Sequence, residues 1–290
     1  LERRRLQAPA ERHLPKRRRE ASRSPVRSIE SSALRSLPKA IVDIKFLRRI
    51  SSSVMKRYMR YCRGRYFLEK RMGALLLLDQ FHGIDQHILI RGTWEADQIN
   101  HLKSLVALNR KAGEEVVFLD IGSCVAYYPV ILSQDVAFDR IVAFEPVPKN
   151  LVQMRANLML NGMLDKVEVV DKAMSDTDGV TQYIVSIDKN RGWSRILDND
   201  LETGETTIDV TVSTIDKTVD CRDKLIVAKI DTEGGELRVL RGMEDVLRGN
   251  RLIMQIERNK GPVSDLVEQL KPFGIVYDRT IGIDHYFLKV

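Results

Sequence analysis

From residue 116 to the C-terminus, short apolar runs alternate with stretches of helical length, and this alternation limits the fold more than any other feature. Residues 116–119, 140–144, 167–170, 225–230, 251–256, 274–277 and 285–289 are apolar and strand-like. Residues 127–134, 149–161, 236–248 and 264–271 carry helical patterns between them. Strands apolar on both faces must be covered on both faces, which predicts an α/β fold doubly wound around a mostly parallel seven-strand sheet. Residues 180–185 and 206–212 instead alternate around the polar stretch 188–204, as an antiparallel excursion between sheet units does. Upstream, residues 74–78 read as a strand and 94–108 as a helix.

Charge divides the chain. Its formal net charge is +7, yet residues 1–65 hold 20 Lys and Arg against 5 Asp and Glu, leaving 27 against 35 for the rest. The folded body is therefore mildly acidic, and no nucleic-acid groove is expected on it. Residues 1–40 combine Arg3-Arg4-Arg5 and Lys16-Arg17-Arg18-Arg19 with four prolines. Like charges repel and proline interrupts helices, so a disordered basic tail is expected, suited to weak contact with anionic membranes. Residues 41–110 form a lead-in of helix and strand, with an amphipathic helix expected through residue 68, and residues 111–290 form the α/β domain. No apolar run reaches the roughly 20 residues of a bilayer span. No apolar stretch follows the basic blocks as in a secretory signal, so a cytoplasmic location is expected. Cys62, Cys124 and Cys221 are too scattered for a disulfide framework or a zinc site.

In such a sheet, ligands bind beyond the carboxyl ends of the strands. The first strand runs into Asp120-Ile121-Gly122-Ser123-Cys124-Val125-Ala126-Tyr127. A dinucleotide site needs GxGxxG, because bare backbone must approach an anionic pyrophosphate. One glycine and a carboxylate oppose that ligand, and with it an NAD-dependent oxidoreductase. Asp120 suits a cationic ligand, and S-adenosylmethionine (AdoMet), with its ammonium and sulfonium, is one. The second strand ends at Glu145, where an acid can accept both hydroxyls of a ribose. The third leads into Asp171-Lys172-Ala173, near where an adenine ring would lie.

These segments resemble the FkbM family of AdoMet-dependent methyltransferases. Asp120-Ile121-Gly122 through Tyr127-Tyr128 is similar to the family's nucleotide loop, and Phe144-Glu145-Pro146 with Asn150 and Asn157 to its next strand and helix. Lys229-Ile230-Asp231-Thr232-Glu233-Gly234-Gly235-Glu236-Leu237 resembles its hallmark K-I-D-x-E-G-x-E segment, and Arg91-Gly92-Thr93-Trp94-Glu95 the element ahead of its core. The likeness runs from about residue 66 to the C-terminus. It departs at Cys124, usually Asn, and at Ala126, usually a second glycine. The resemblance implies a Rossmann-like fold and AdoMet held by Asp120, Gly122, Ser123, Tyr127, Glu145, Asp171, Lys172 and Ala173. It further implies O-methylation of a small-molecule or glycan acceptor, such as a sugar hydroxyl of a polysaccharide or glycolipid, or a secondary metabolite.

An alcohol nucleophile must lose its proton, which calls for a base or a metal. Asp231 and Glu233 leave the fourth strand and Glu257 ends the fifth, so these acids are the expected catalytic residues. They are expected to act without a metal, a divalent ion between them being the alternative. Glu95, Arg191 and Trp193 are expected at the acceptor, with Trp193 stacking on a sugar face and Arg191 holding an acidic group. A nucleoside-binding protein without catalysis is the rival reading.

Overall fold

The computed structural model describes residues 64–186, 194–197 and 205–290. The expected basic tail, the helix expected up to residue 63, and Arg191 and Trp193 lie outside the described residues.

The described chain opens with a hairpin, β1 (Tyr66–Arg71) and β2 (Ala74–Asp79), followed by helices α1 (Gly83–Arg91) and α2 (Ala96–Asn109). Residues 66–68, expected at the end of a helix, are strand. Tyr66-Phe67-Leu68-Glu69-Lys70-Arg71 alternates exposed and half-buried positions, a period-2 pattern that also passes for amphipathic helix over so short a run. Then come β3 (Val116–Ile121), α3 (Tyr127–Leu132), β4 (Arg140–Phe144), α4 (Pro148–Leu160) and β5 (Val167–Val170). Pro148 starts α4, where its missing N–H is not needed.

The excursion comprises β6 (Ala173–Met174), β7 (Gly179–Ser186), β8 (Arg195–Ile196) and β9 (Glu205–Ser213), a separate four-stranded sheet whose β7–β9 pairing is antiparallel. After the short α5 (Ile215–Thr218) the main sheet resumes with β10 (Leu225–Ile230), α6 (Glu236–Arg241), α7 (Glu244–Gly249), β11 (Arg251–Glu257), α8 (Val263–Leu270), β12 (Val276–Ile281) and β13 (Asp284–Lys289). The single helix expected over 236–248 is therefore two, divided at Gly242-Met243.

Seven strands form the main sheet in the order β12-β13-β11-β10-β3-β4-β5. The five from β11 to β5 are parallel, while β13 runs antiparallel to both β11 and β12. The sheet is thus mixed rather than parallel throughout. Only Gly282 and Ile283 join β12 to β13, and so short a link can connect antiparallel strands only. Helices cover both faces. Phe118, Ala143, Val227 and Ile253 face one core with α2, α3, α4 and the hairpin. Leu119, Val142, Ala228 and Met254 face the other with α5 to α8.

The alternation of side chains sets the polar row of the first face. Asp120 pairs in register with Lys229, and Lys229 with Gln255. All three point to that face, at the carboxyl ends of the parallel strands. One step further along, Asp231 leaves β10, and Glu257 is paired in register with Asp284.

Candidate active site

The turn after β3 is built from left-handed backbone. Gly122, Cys124 and Ala126 have φ of 86°, 52° and 61°. Gly122 is obligatory, because a Cβ there would lie 1.8 Å from the Asp231 carbonyl oxygen. The N–H groups of Gly122 and Ser123 both donate to the Phe144 carbonyl (3.1 and 2.9 Å), and Asn157 Nδ2 donates to the Val125 carbonyl (3.0 Å). Ala126 adopts the left-handed conformation that the expected glycine would take freely, at a cost of roughly 1 kcal/mol.

Asp120 is 1% exposed; the buried Ser123 hydroxyl beside it favours its ionised form but stands outside good hydrogen-bonding geometry, and among the described residues no other group donates to either carboxylate oxygen. Burial pushes the Asp120 carboxyl up to about 6, against the opposing pull of Lys229. A buried carboxylate with no donor is expensive unless something else supplies one. Glu145 is differently placed. Its Oε1 accepts from the Val147 N–H (2.8 Å) and Asn150 Nδ2 (3.1 Å), and its Oε2 from the Cys124 N–H (2.9 Å). A carboxylate has about four acceptor positions, so roughly one remains for a ribose hydroxyl instead of two. Burial raises Glu145 to about 7.

Beside this loop lies a narrow cleft of about 20 Å³, room for little more than a water molecule, lined by Gly122, Phe144, Pro146, Lys172, Ala173 and Tyr183 among others. Asp171 is exposed and is not part of the lining, and Tyr127 donates its hydroxyl to the Trp94 carbonyl (3.3 Å).

Past Asp120, the row becomes an acid pocket with a lysine at its floor. Lys229, 4% exposed, donates through Nζ to Asp231 Oδ2 (2.7 Å) and stands over the Tyr128 ring at 4.8 Å. A buried ammonium is tolerated only when paired, and the surrounding carboxylates Asp231, Glu95, Asp120 and Glu257 hold Lys229 well above its usual range. Tyr128 Oη donates to Glu95 Oε2 (2.6 Å) and accepts from Gln255 Nε2 (2.7 Å), which also donates to Asp284 Oδ1 (2.8 Å). Burial raises the Glu95 and Asp284 carboxyls.

Above this floor, carboxylate oxygens of Asp231, Glu233 and Glu257 lie within 4.8 Å of one another. Burial, then the Asp231 charge, lifts Glu233 to about 7 and raises Glu257 well beyond the carboxylate range. Arg258 pairs with Asp265 (2.7 Å) and not with Glu257. Glu236, in the first turn of α6, ties down the loop before it, accepting from the Gly234 N–H (2.8 Å) and the Thr232 hydroxyl (3.2 Å). The three expected catalytic acids and Glu95 thus share one pocket. The residues sequence reasoning missed are Lys229 in its binding role, Tyr128, Gln255 and Asp284. A lysine inside the otherwise apolar strand 225–230 was the one available signal.

A buried carboxylate at a glycine turn, a narrow cleft beside it and an acid cluster beyond it thus lie at the carboxyl ends of the parallel strands, where an α/β sheet binds its ligands. The profile of the methyltransferase FkbM domain matches residues 120–272, more than half of the chain. The chain belongs to that family and is an AdoMet-dependent methyltransferase. A search of curated protein sequences returned no match. Solved structures similar to it include a ribosomal protein L11 methylase from Lactobacillus delbrueckii subsp. bulgaricus, 13% identical over 67% of this chain and 79% of that one, TM-score 0.41. A SAM-dependent methyltransferase from Agrobacterium tumefaciens is 9% identical over 78% of this chain and 70% of that one, TM-score 0.45. The N-terminal domain of human METTL16, solved with S-adenosylhomocysteine, is 15% identical over 66% and 67%, TM-score 0.39.

The residues fit AdoMet. Asp120, unpartnered and buried, suits an ammonium group; the cleft walls of Phe144, Pro146 and Ala173 suit a purine. Among the described residues no helix is long and apolar enough to cross a membrane.

Proposed function

We propose that the protein O-methylates a hydroxyl of a sugar-containing or similarly polyhydroxylated acceptor, in the cytoplasm, with Asp231, Glu233 and Glu257 as the acceptor-binding and proton-handling groups. The observation that carries this reading is the mutual approach of those three carboxylates within 4.8 Å, next to the orphan Asp120.

AdoMet, when bound, supplies an electrophilic methyl group; the chain must hold the acceptor oxygen in line and remove its proton. Glu233, at about 7, is matched to proton abstraction near neutrality. Asp231, paired with the Lys229 ammonium, accepts a hydrogen bond from the acceptor, fixing its orientation. Glu257, protonated at neutral pH, donates to a neighbouring acceptor oxygen. Glu95 and Tyr128 form the pocket wall, and Arg191 and Trp193 are proposed to bind the acceptor. The base is proposed to be a carboxylate, a divalent ion held between Asp231, Glu233 and Glu257 being the alternative.

The test is methyl transfer from isotopically labelled AdoMet to a panel of mono- and oligosaccharides and polyphenols, with the product position read by NMR. A methyl ether supports the reading. Transfer only to nitrogen, or activity abolished by chelators and restored by divalent ions, contradicts it.

A further inference from the structure

We propose that Cys124 is a modification site: a thiol activated by His82 and Asp85 that reacts with hydroperoxides and, once oxidised, shuts the AdoMet loop. Cys124 Sγ lies 3.9 Å from His82 Nε2, and His82 Nδ1 lies 3.3 Å from Asp85 Oδ1. His82 and Asp85 are 1% and 0% exposed, whereas Cys124 is partly exposed in the turn. The order Cys–His–Asp, with the carboxylate within ion-pair distance of the imidazole though not hydrogen-bonded to it and the imidazole facing the sulfur, brings together the groups that activate a nucleophile.

The geometry is fixed from outside. His82 N-caps α1, its N–H donating to the Asp79 carbonyl (2.9 Å) and its carbonyl accepting from the Gln86 N–H (2.8 Å). Asp85 Oδ2 accepts from the Asp79 N–H (2.8 Å) and Gln153 Nε2 (2.6 Å), leaving Oδ1 toward the imidazole. Helix α4, through Gln153, therefore holds the acid, and through Asn157 it holds the loop that carries the thiol. The same loop carries Ser123, and Asp120 stands at the end of the strand before it. Glu145, whose Oε2 takes the Cys124 N–H, and Tyr183 are the other ionisable groups beside the thiol. Cys221 offers the contrast: burial pushes its thiol up, and its neighbour is Arg140.

In the reaction, His82 takes the thiol proton and the sulfur attacks the distal oxygen of the hydroperoxide. An S–O bond forms and the O–O bond breaks. Sulfur is oxidised to a sulfenic acid, the peroxide is reduced to an alcohol or water, and the departing oxygen takes the proton from His82. The added oxygen sits on the turn that Glu145 and Asp120 depend on. This consequence for AdoMet rests on the assignment of that turn to the cofactor; the reactivity of the thiol does not.

The experiment exposes the full chain to hydrogen peroxide, traps sulfenic acid with dimedone, and follows Cys124 and Cys221 by peptide mass spectrometry. AdoMet binding is titrated before and after. Cys124 is expected to label about tenfold faster than Cys221, since an ordinary cysteine is only a few per cent thiolate at neutral pH. His82→Asn is expected to remove most of that advantage. AdoMet binding is expected to be lost on oxidation and to survive peroxide in Cys124→Ser. Equal labelling of the two cysteines, labelling unaffected by a folded His82→Asn, or unchanged AdoMet binding after oxidation would overturn the proposal. Should His82→Asn not fold, the comparison of Cys124 with Cys221 in the unsubstituted chain decides. A chain that labels at Cys124 but never binds AdoMet would refute the cofactor assignment alone.

Discussion

Replacing three glycines by alanine separates backbone strain from close approach at the joint between cofactor turn and acid pocket. Gly162→Ala introduces only a side chain at φ +65°, with nothing within 4 Å of the new Cβ, and is expected to cost about 1 kcal/mol. Gly242 has φ −85°, but its Cβ would lie 1.9 Å from the Ser175 carbonyl oxygen. That is an overpacking cost alone, about 1–3 kcal/mol. Gly122 combines φ +86° with a Cβ 1.8 Å from the Asp231 carbonyl oxygen, so Gly122→Ala is expected to cost about 2–4 kcal/mol. In a domain of this size each kcal/mol lowers Tm by roughly 2–4 °C. Thermal unfolding followed by circular dichroism should therefore show a drop of about 5–15 °C for Gly122→Ala and roughly 2–4 °C for Gly162→Ala. A Gly122→Ala variant no less stable than Gly162→Ala would refute the contact between the turn and the end of β10.

In the AdoMet-free protein, Asp120 carries a carboxyl raised from 3.8 to about 6. Its contribution to stability is full below pH 3.8 and lost as pH rises through about 6, amounting to up to about 3 kcal/mol at pH 7.5. Urea denaturation should find Asp120→Asn more stable than the wild type at pH 7.5, with the difference closing below pH 4. Glu233→Gln should leave AdoMet affinity intact while turnover at saturating acceptor falls by roughly 10²-fold. Wild-type turnover should rise with pH through about 7, because the ionised carboxylate is the base. Tyr128→Phe strips Glu95 and Gln255 of a shared buried partner; chemical denaturation should show a loss of about 1–3 kcal/mol.

The strands of the main sheet were legible because β3, β10 and β11 are apolar on both faces, and no other element reads that way in so few residues. Their direction was not. A wholly buried strand has the same composition in parallel and antiparallel pairing, and the sign that β13 reverses lies in the two-residue Gly282-Ile283 link. Gly242, which divides α6 from α7, was hidden because its reason is the Ser175 carbonyl, distant in sequence. At the site, Asp120, Asp231 and Glu257 could be read off strand ends, since the sheet alone places them. The Lys229–Tyr128–Gln255–Asp284 network could not, because each bond joins segments that only the folded sheet brings together. The same holds for His82 and Asp85, which read as ordinary residues of the lead-in yet pack against the cofactor turn.

Calorimetric titration of AdoMet into the wild type and into Asp120→Asn tests the central claim, that the buried unpartnered carboxylate at the end of β3 receives the cationic end of the cofactor. The neutral amide keeps the shape and removes the charge, so a folded Asp120→Asn should bind AdoMet at least about tenfold more weakly, the loss of one hydrogen bond between charged groups. Equal affinity in the two proteins, or tighter binding of NAD than of AdoMet by the wild type, would contradict it.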